Sequence, residues 1–227
     1  MSARAPVRVV VLGAGGNSLS ILDAIQACNA LEPCYRVEGI LDDLPENRGR
    51  TVLGHPVLGT IDDASRFPGC RFINGISSVN SFRKIPEVIR RTGLPRERFV
   101  SVVHPRATVA ASARIGLGTA ILAGSVLAPE AVVGDHVIIL QNTTVNHHST
   151  VGDFATLSAG ITVLGYIVVG NNAFVGGGAT LAPLVKIGDS ALVGAGSVVL
   201  GDVPAGRVFA GNPARELPAS RYKATLE

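Results

Sequence analysis

Every sixth residue from Val103 to Val199 is aliphatic. Positions 103, 109, 115, 121, 127, 133, 139, 145, 151, 157, 163, 169, 175, 181, 187, 193 and 199 carry only Val, Ile or Leu, without a break. This period matches neither the 3.6-residue α-helix nor the two-residue alternation of a strand. It fits a solenoid whose chain turns a corner at each hexad. Three hexads close one triangular coil, so the segment predicts a left-handed parallel β-helix of nearly six coils. At the usual strand spacing of about 4.8 Å the prism stands roughly 27 Å tall.

The rest of each hexad agrees. Gly follows the aliphatic at 116, 134, 152, 170, 176, 188 and 194, where a tight corner suits it. Four residues after the aliphatic comes Ala, Ser or Thr, sometimes Val or Ile, because three converging walls leave little interior room. Aromatics are only 4% and Trp is absent, so small aliphatics must fill the core. The outward apolar residues Ile138, Leu140 and Leu164 predict flat sides that pack against copies of the chain.

Residues 1–100 follow a different grammar. Val7–Leu12 reads as a strand, 18–30 as a helix with Leu19, Leu22, Ile25 and Gln26 at helical spacing, Val37–Leu41 as a second strand and Arg71–Ile73 as a third. Ser81–Arg91 reads as a helix with Pro86 near its start. Alternating strand and helix predicts a parallel, Rossmann-like α/β domain. The expected organisation is therefore 1–100 Rossmann-like, 101–212 all-β helix and 213–227 a tail. Gly13-Ala14-Gly15-Gly16-Asn17-Ser18 lies between the first strand and helix, where backbone N–H groups and a helix N-terminus make an anion site. Asp42 and Asp43 end the second strand, a place for a ribose or base. Ser18 replaces the third glycine of a dinucleotide loop, so the loop is weak evidence for NAD.

The net charge of +3, with no basic run, argues against nucleic acid. Cys28, Cys34 and Cys70 are odd in number and not in CxxC spacing, as in reduced thiols of a cytoplasmic protein. No 18-residue apolar run exists to span a membrane.

Five histidines occur, and two are adjacent in Val145-Asn146-His147-His148-Ser149-Thr150. His147 stands two places after an inward aliphatic and so points outward. An imidazole there is suited to take a proton from an amine or hydroxyl attacking a thioester.

The hexads resemble those of the bacterial hexapeptide acyltransferases. The whole chain is similar to the sugar O-/N-acyltransferase group of the sialic acid O-acetyltransferases and UDP-4-amino-sugar acetyltransferases. The marks are the opening VVVLGAGGN, ILDD after the second strand, HPVLGT, VNHHSTVGD and the closing GDVPAGRVFAGNPAR. The resemblance implies an acetyl-CoA-dependent transferase of glycan biosynthesis, without a metal, acting on a nucleotide-linked sugar. It implies His147 as general base, with the next position, His148 here, normally a carboxylate that orients it. It places the oxyanion-binding N–H on Gly165 and the CoA contacts near Thr156, Gly177 and Ala195, mostly through backbone. The glycine loop at Gly15, Gly16 and Asn17, with Asp42, Asp43 and Ser77, falls on the acceptor site, Asn17 standing where the family has histidine. Members form homotrimers with active sites between subunits. Glu130 lies one 18-residue coil below His148, near enough in sequence register to contribute charge.

Two other classes stay open. Some hexapeptide prisms are zinc hydro-lyases, for which His136, His147 and His148 could be proposed, although the twelve residues from His136 to His148 put them on different sides of the prism and adjacent His147 and His148 diverge. A non-catalytic nucleotide-sugar-binding or assembly module is the other, distinguished by calorimetry with acetyl-CoA.

Overall fold

A computed structural model describes residues 5–218. The first part is a parallel sheet: β1 (Val7–Leu12), β2 (Tyr35–Leu41), β3 (Thr51–Val52), β4 (His55–Gly59) and β5 (Arg71–Asn74), in the spatial order β3-β4-β2-β1-β5. Only β3 and β4 pair antiparallel. Helix α1 (Gly16–Leu31) joins β1 to β2, and α2 (Ile85–Arg91) follows β5. Val9, Val10, Val11 and Leu12 of β1 are fully buried because the strand is central and covered on both faces. The buried stripe of α1 is Ser18, Ile21, Leu22, Ala24 and Ile25. Of the expected stripe, Leu22 and Ile25 are buried, whereas Leu19 and Gln26 face outward and Ser18, Ile21 and Ala24 complete the buried face.

From Val102 the chain winds a three-walled parallel β-helix with two-residue strands. Wall one contains Val102–Val103, Ala120–Ile121, Ile138–Ile139, Thr156–Leu157, Phe174–Val175 and Leu192–Val193. Wall two contains Thr108–Val109, Val126–Leu127, Thr144–Val145, Thr162–Val163, Thr180–Leu181 and Val198–Val199. Wall three contains Arg114–Ile115, Val132–Val133, Thr150–Val151, Val168–Val169 and Lys186–Ile187. Each strand pairs with the one 18 residues on, as Ile138 with Thr156 and Thr156 with Phe174. Val208–Ala210 extends wall one, and Arg215–Glu216 pairs antiparallel with it. Of the expected tail, 219–227 lies outside the described residues.

The hexad aliphatics fill one continuous interior with the small residues four places on. Buried hydroxyls among these are satisfied by the repeat itself. Thr143 Oγ1 donates to Ser158 O at 2.7 Å and accepts from Ile161 N–H at 3.2 Å. Ser149 Oγ does the same with Leu164 O and Ile167 N–H. A polar atom in this core thus costs little, because both its bonds are made.

Wall one is covered by the N-terminal part. Phe174, Leu192 and Val208 pack with Phe72, Phe82 and Phe99, and the Phe82 and Phe174 rings lie 5.5 Å apart. Ala120 and Leu122 pack with Ile21, Leu22 and Ile25 of α1, and Leu140 joins them. The expectation that Ile138 and Leu140 pack against copies is therefore corrected. Ile138 is fully buried, Leu140 is covered by this chain's own first hundred residues, and Leu164 packs against the coil interior. The exposed apolar residues of the coil are Tyr166, Val168, Leu184 and Leu200.

Candidate active site

His147 lies on the corner between walls two and three, in the turn from Thr144–Val145 to Thr150–Val151. Its backbone N–H donates to Asn146 Oδ1 at 2.8 Å. That bond fixes the turn and leaves the ring at the surface. Its Nδ1 stands 3.2 Å from His148 Nδ1, so one nitrogen donates and the other accepts. His148 takes the left-handed backbone conformation (φ +58), as do Glu130, Tyr166 and Leu184 in the same column. Among the described residues no carboxylate bonds to either imidazole.

One coil above His147 sits Gly165. A β-carbon there would lie 2.7 Å from His147 Cε1 and 3.0 Å from Nε2, so only glycine leaves the ring its place. Gly165 O accepts from Leu184 N–H, while no acceptor among the described residues takes the Gly165 N–H. The corner between walls three and one differs at the matching position. There Asp135, Asp153 and Asn171 N–H groups donate to Oδ1 of Asp153, Asn171 and Asp189, each one coil on. Above Gly165 the same register brings Pro183, which has no such oxygen.

Tyr166 was missed by sequence reasoning. Its ring stacks on His148 at 4.8 Å and 15°, and stands edgewise to His147 at 5.2 Å and 83°. The 18-residue register could have found it, since Tyr166 is one coil beyond His148.

A concavity of about 410 Å³ lies at the carboxyl end of the N-terminal sheet. It is lined by Gly15, Gly16, Asn17, Asp42, Asp43 and Ser77, together with Ile61, Ile76 and Val88. Asp42 is buried and spoken for: its oxygens accept from Ala14 N–H, Leu44 N–H and Asn47 Nδ2. Asp43 accepts from Ile61 N–H and Arg91. Both carboxylates thus brace the loops around the cleft. Gly13 has φ +91 and its absent side chain makes room for Ile76. Asn17 Nδ2 donates to Ser77 O at 2.8 Å, and Ser77 Oγ is 2.6 Å from Thr156 Oγ1 on wall one. Thr156 is only 1% exposed, so its hydroxyl ties the cleft to the coil. Gly177 and Ala195 stack one coil apart on the corner between walls one and two.

The geometry divides these residues. His147, His148 and Gly165 share one corner, opposite the wall against which the cleft is built. His136 is on a third corner, buried between the rings of Phe99 (4.4 Å) and Phe154 (5.1 Å). Burial pushes its pKa down to about 4, so it is a neutral core imidazole. It cannot meet His147 and His148 at one ion, and among the described residues no group of three or more His, Cys, Asp or Glu is placed to hold a metal.

Neither a protein-family model nor a curated protein sequence matches the chain significantly. Solved structures do. Perosamine N-acetyltransferase from Caulobacter crescentus, in complex with CoA and GDP-perosamine, is 30% identical, with a TM-score of 0.81 over 94% of this chain and 99% of that one. The chain belongs to the hexapeptide-repeat sugar acyltransferases. The acetyltransferase domain of PglB from Neisseria gonorrhoeae, in complex with acetyl coenzyme A, is 28% identical, with a TM-score of 0.81 over 94% of this chain and all of that one. WeeI from Acinetobacter baumannii is 25% identical, with a TM-score of 0.63. Membership makes the chain an acetyl-CoA-dependent sugar acetyltransferase. No helix among the described residues is long and apolar enough to cross a membrane.

Proposed function

We propose that this acyltransferase moves an acetyl group from acetyl-CoA to the amine of a nucleotide-linked sugar. The observation that carries this is the placement of Gly165 directly over the His147 ring, with a backbone N–H that finds no acceptor among the described residues. With His147 Nδ1–H donating to His148 Nδ1, the lone pair is on His147 Nε2. Nε2 takes the amine proton as nitrogen attacks the thioester carbonyl. Gly165 N–H donates to the oxygen that becomes negative. Collapse breaks the C–S bond, and the CoA thiolate leaves with the proton from His147. An amide and CoA-SH are the products. A sugar hydroxyl would react by the same steps. The bound nucleotides in the perosamine enzyme and the acetyl-CoA in PglB support this substrate pair.

The cleft is the acceptor site in this reading, with residues 1–100 as a Rossmann-like acceptor domain and 101–212 as the acyltransferase domain. Phosphate would meet the backbone N–H groups of Gly15 and Gly16 at the start of α1, whose first turn has no acidic residue. Asn17 and Ser77 line the sugar end of the cleft, and Asp42 and Asp43 hold its walls. CoA runs along the corner of Gly177 and Ala195, near Thr156.

A cleft and a base on opposite sides of one prism cannot serve one substrate within one chain. Two copies can, if the base corner of one faces the cleft of the next. Exposed Tyr166, Val168 and Leu184 give that corner an apolar surface for a neighbour. A closed homotrimer supplies three such sites. In this reading the enzyme is cytoplasmic and serves surface-glycan biosynthesis.

Purified protein given acetyl-CoA and a panel of nucleotide amino sugars should add one acetyl mass to at least one of them. CoA-thiol release should vanish in His147→Ala. Wild-type turnover by that variant would sink the reading.

A further inference from the structure

The position after His147 carries a second histidine, and Tyr166 stacks on it. We propose that Tyr166 is a positioning residue: its ring holds His148 as a neutral acceptor for His147 Nδ1–H and so fixes which nitrogen of His147 is the base. The proposal rests on His147 being that base.

The reasoning starts from what an imidazole lacks. A carboxylate offers four lone-pair sites and accepts in almost any rotamer. A neutral imidazole offers one lone pair in its own plane, so its ring must be held edge-on to its donor. The 3.2 Å contact between Nδ1 atoms needs that aim, and the two rings are 84° apart. The Tyr166 ring lies nearly parallel to His148 and nearly perpendicular to His147. It covers one face of His148 and abuts His147, which blocks rotation of both. The register produces this stack directly, since column neighbours are one strand spacing apart. Tyr166 pays for the place with a left-handed backbone (φ +60) that glycine would occupy at lower cost.

The test is a cycle of Tyr166→Ala and His148→Glu in the full-length protein, with sedimentation to confirm assembly. Tyr166→Ala should lower kcat at least tenfold, with KM for acetyl-CoA within about twofold. Tyr166→Phe should keep parental kcat, since the ring acts and not the hydroxyl. In the His148→Glu background Tyr166→Ala should cost less than threefold, because a carboxylate needs no aiming. Nitrogen-15 shifts of His147 should report an Nδ1–H tautomer in the parent and a mixture in Tyr166→Ala. Parental kcat and an unchanged tautomer in Tyr166→Ala overturn the proposal. An equal loss in both backgrounds overturns it too, by showing a general structural role. A dead His147→Ala beside a parental Tyr166→Ala removes this proposal alone, whereas an active His147→Ala removes the base itself.

Discussion

Gly165 stands directly over the His147 imidazole, so that a single added carbon would contact Cε1 at 2.7 Å. The glycine backbone is in a region that alanine can also adopt, since its φ is not positive. Gly165→Ala should therefore fold normally and displace the ring. A displacement of this size at a base costs about tenfold to a hundredfold in kcat. Thiol-release kinetics beside a melting curve would check it; a large loss of Tm with intact kcat is the contrary result.

The Ser77–Thr156 bond couples the cleft to the coil at 2.6 Å. Thr156→Val keeps the shape and deletes the bond, at a cost of about 1 kcal/mol to the bound geometry of the Ser77 loop. KM for the acceptor should rise about fivefold, while kcat at saturation and KM for acetyl-CoA stay near parental. Initial rates with each substrate varied in turn would show this split.

How much of this could be read in advance differs between the two halves. The hexads were legible because one inward position tolerates only Val, Ile or Leu and the coil has no loops to shift the frame. The first strand was legible at Val7–Leu12 because a strand buried on both faces is a plain apolar run. The β3–β4 hairpin went unseen, its five-residue strand being interrupted by Pro56 and ended by Gly59. Pattern placed His147 outward, but the partners that matter to it come from stacking. Gly165 and Tyr166 are neighbours of His147 and His148 only after 18 residues of winding. Asp42 shows the converse: its position was apparent, and its saturation by loop N–H groups was not.

His136 gives a pH dependence of stability. Its folded pKa of about 4 lies below the ordinary value of 6.5 because burial disfavours the charged ring. Between these values the unfolded chain binds more protons, so stability rises with pH across this window and the gain is complete above about 6.5. The full effect is on the order of 3 kcal/mol. His136→Phe, matching Phe154 one coil on, removes the titrating group and an unpartnered buried Nδ1. Its Tm should fall less between pH 7 and 4.5 than the parent's; parallel curves would exclude His136 as the source.

Sites built from two copies can be complemented. Mix His147→Ala with Gly16→Asp, which puts a carboxylate where the acceptor's phosphate is proposed to bind, after unfolding and co-refolding. Random closed trimers should recover roughly a quarter of parental sites. The double variant in one chain should recover none, and neither should either single variant alone. Failure of the mixture to exceed the single variants would place cleft and base in the same chain.

The hydrophobic frame of the coil repeats every hexad, whereas each column repeats only with a full turn. An insertion of eighteen residues between Leu127 and Val133 would leave every later side chain on its own wall, with the base one storey higher. An insertion of six would keep the interior equally well packed and yet turn everything above it to the next side. The coil interior would not register the difference; the packing of Phe174 and Leu192 under the first hundred residues would, and so would the chemistry, because His147 would then turn toward the wall those residues already cover. Lineages of such coils can therefore change height freely in whole turns, and any odd hexad becomes a change of address for the active site.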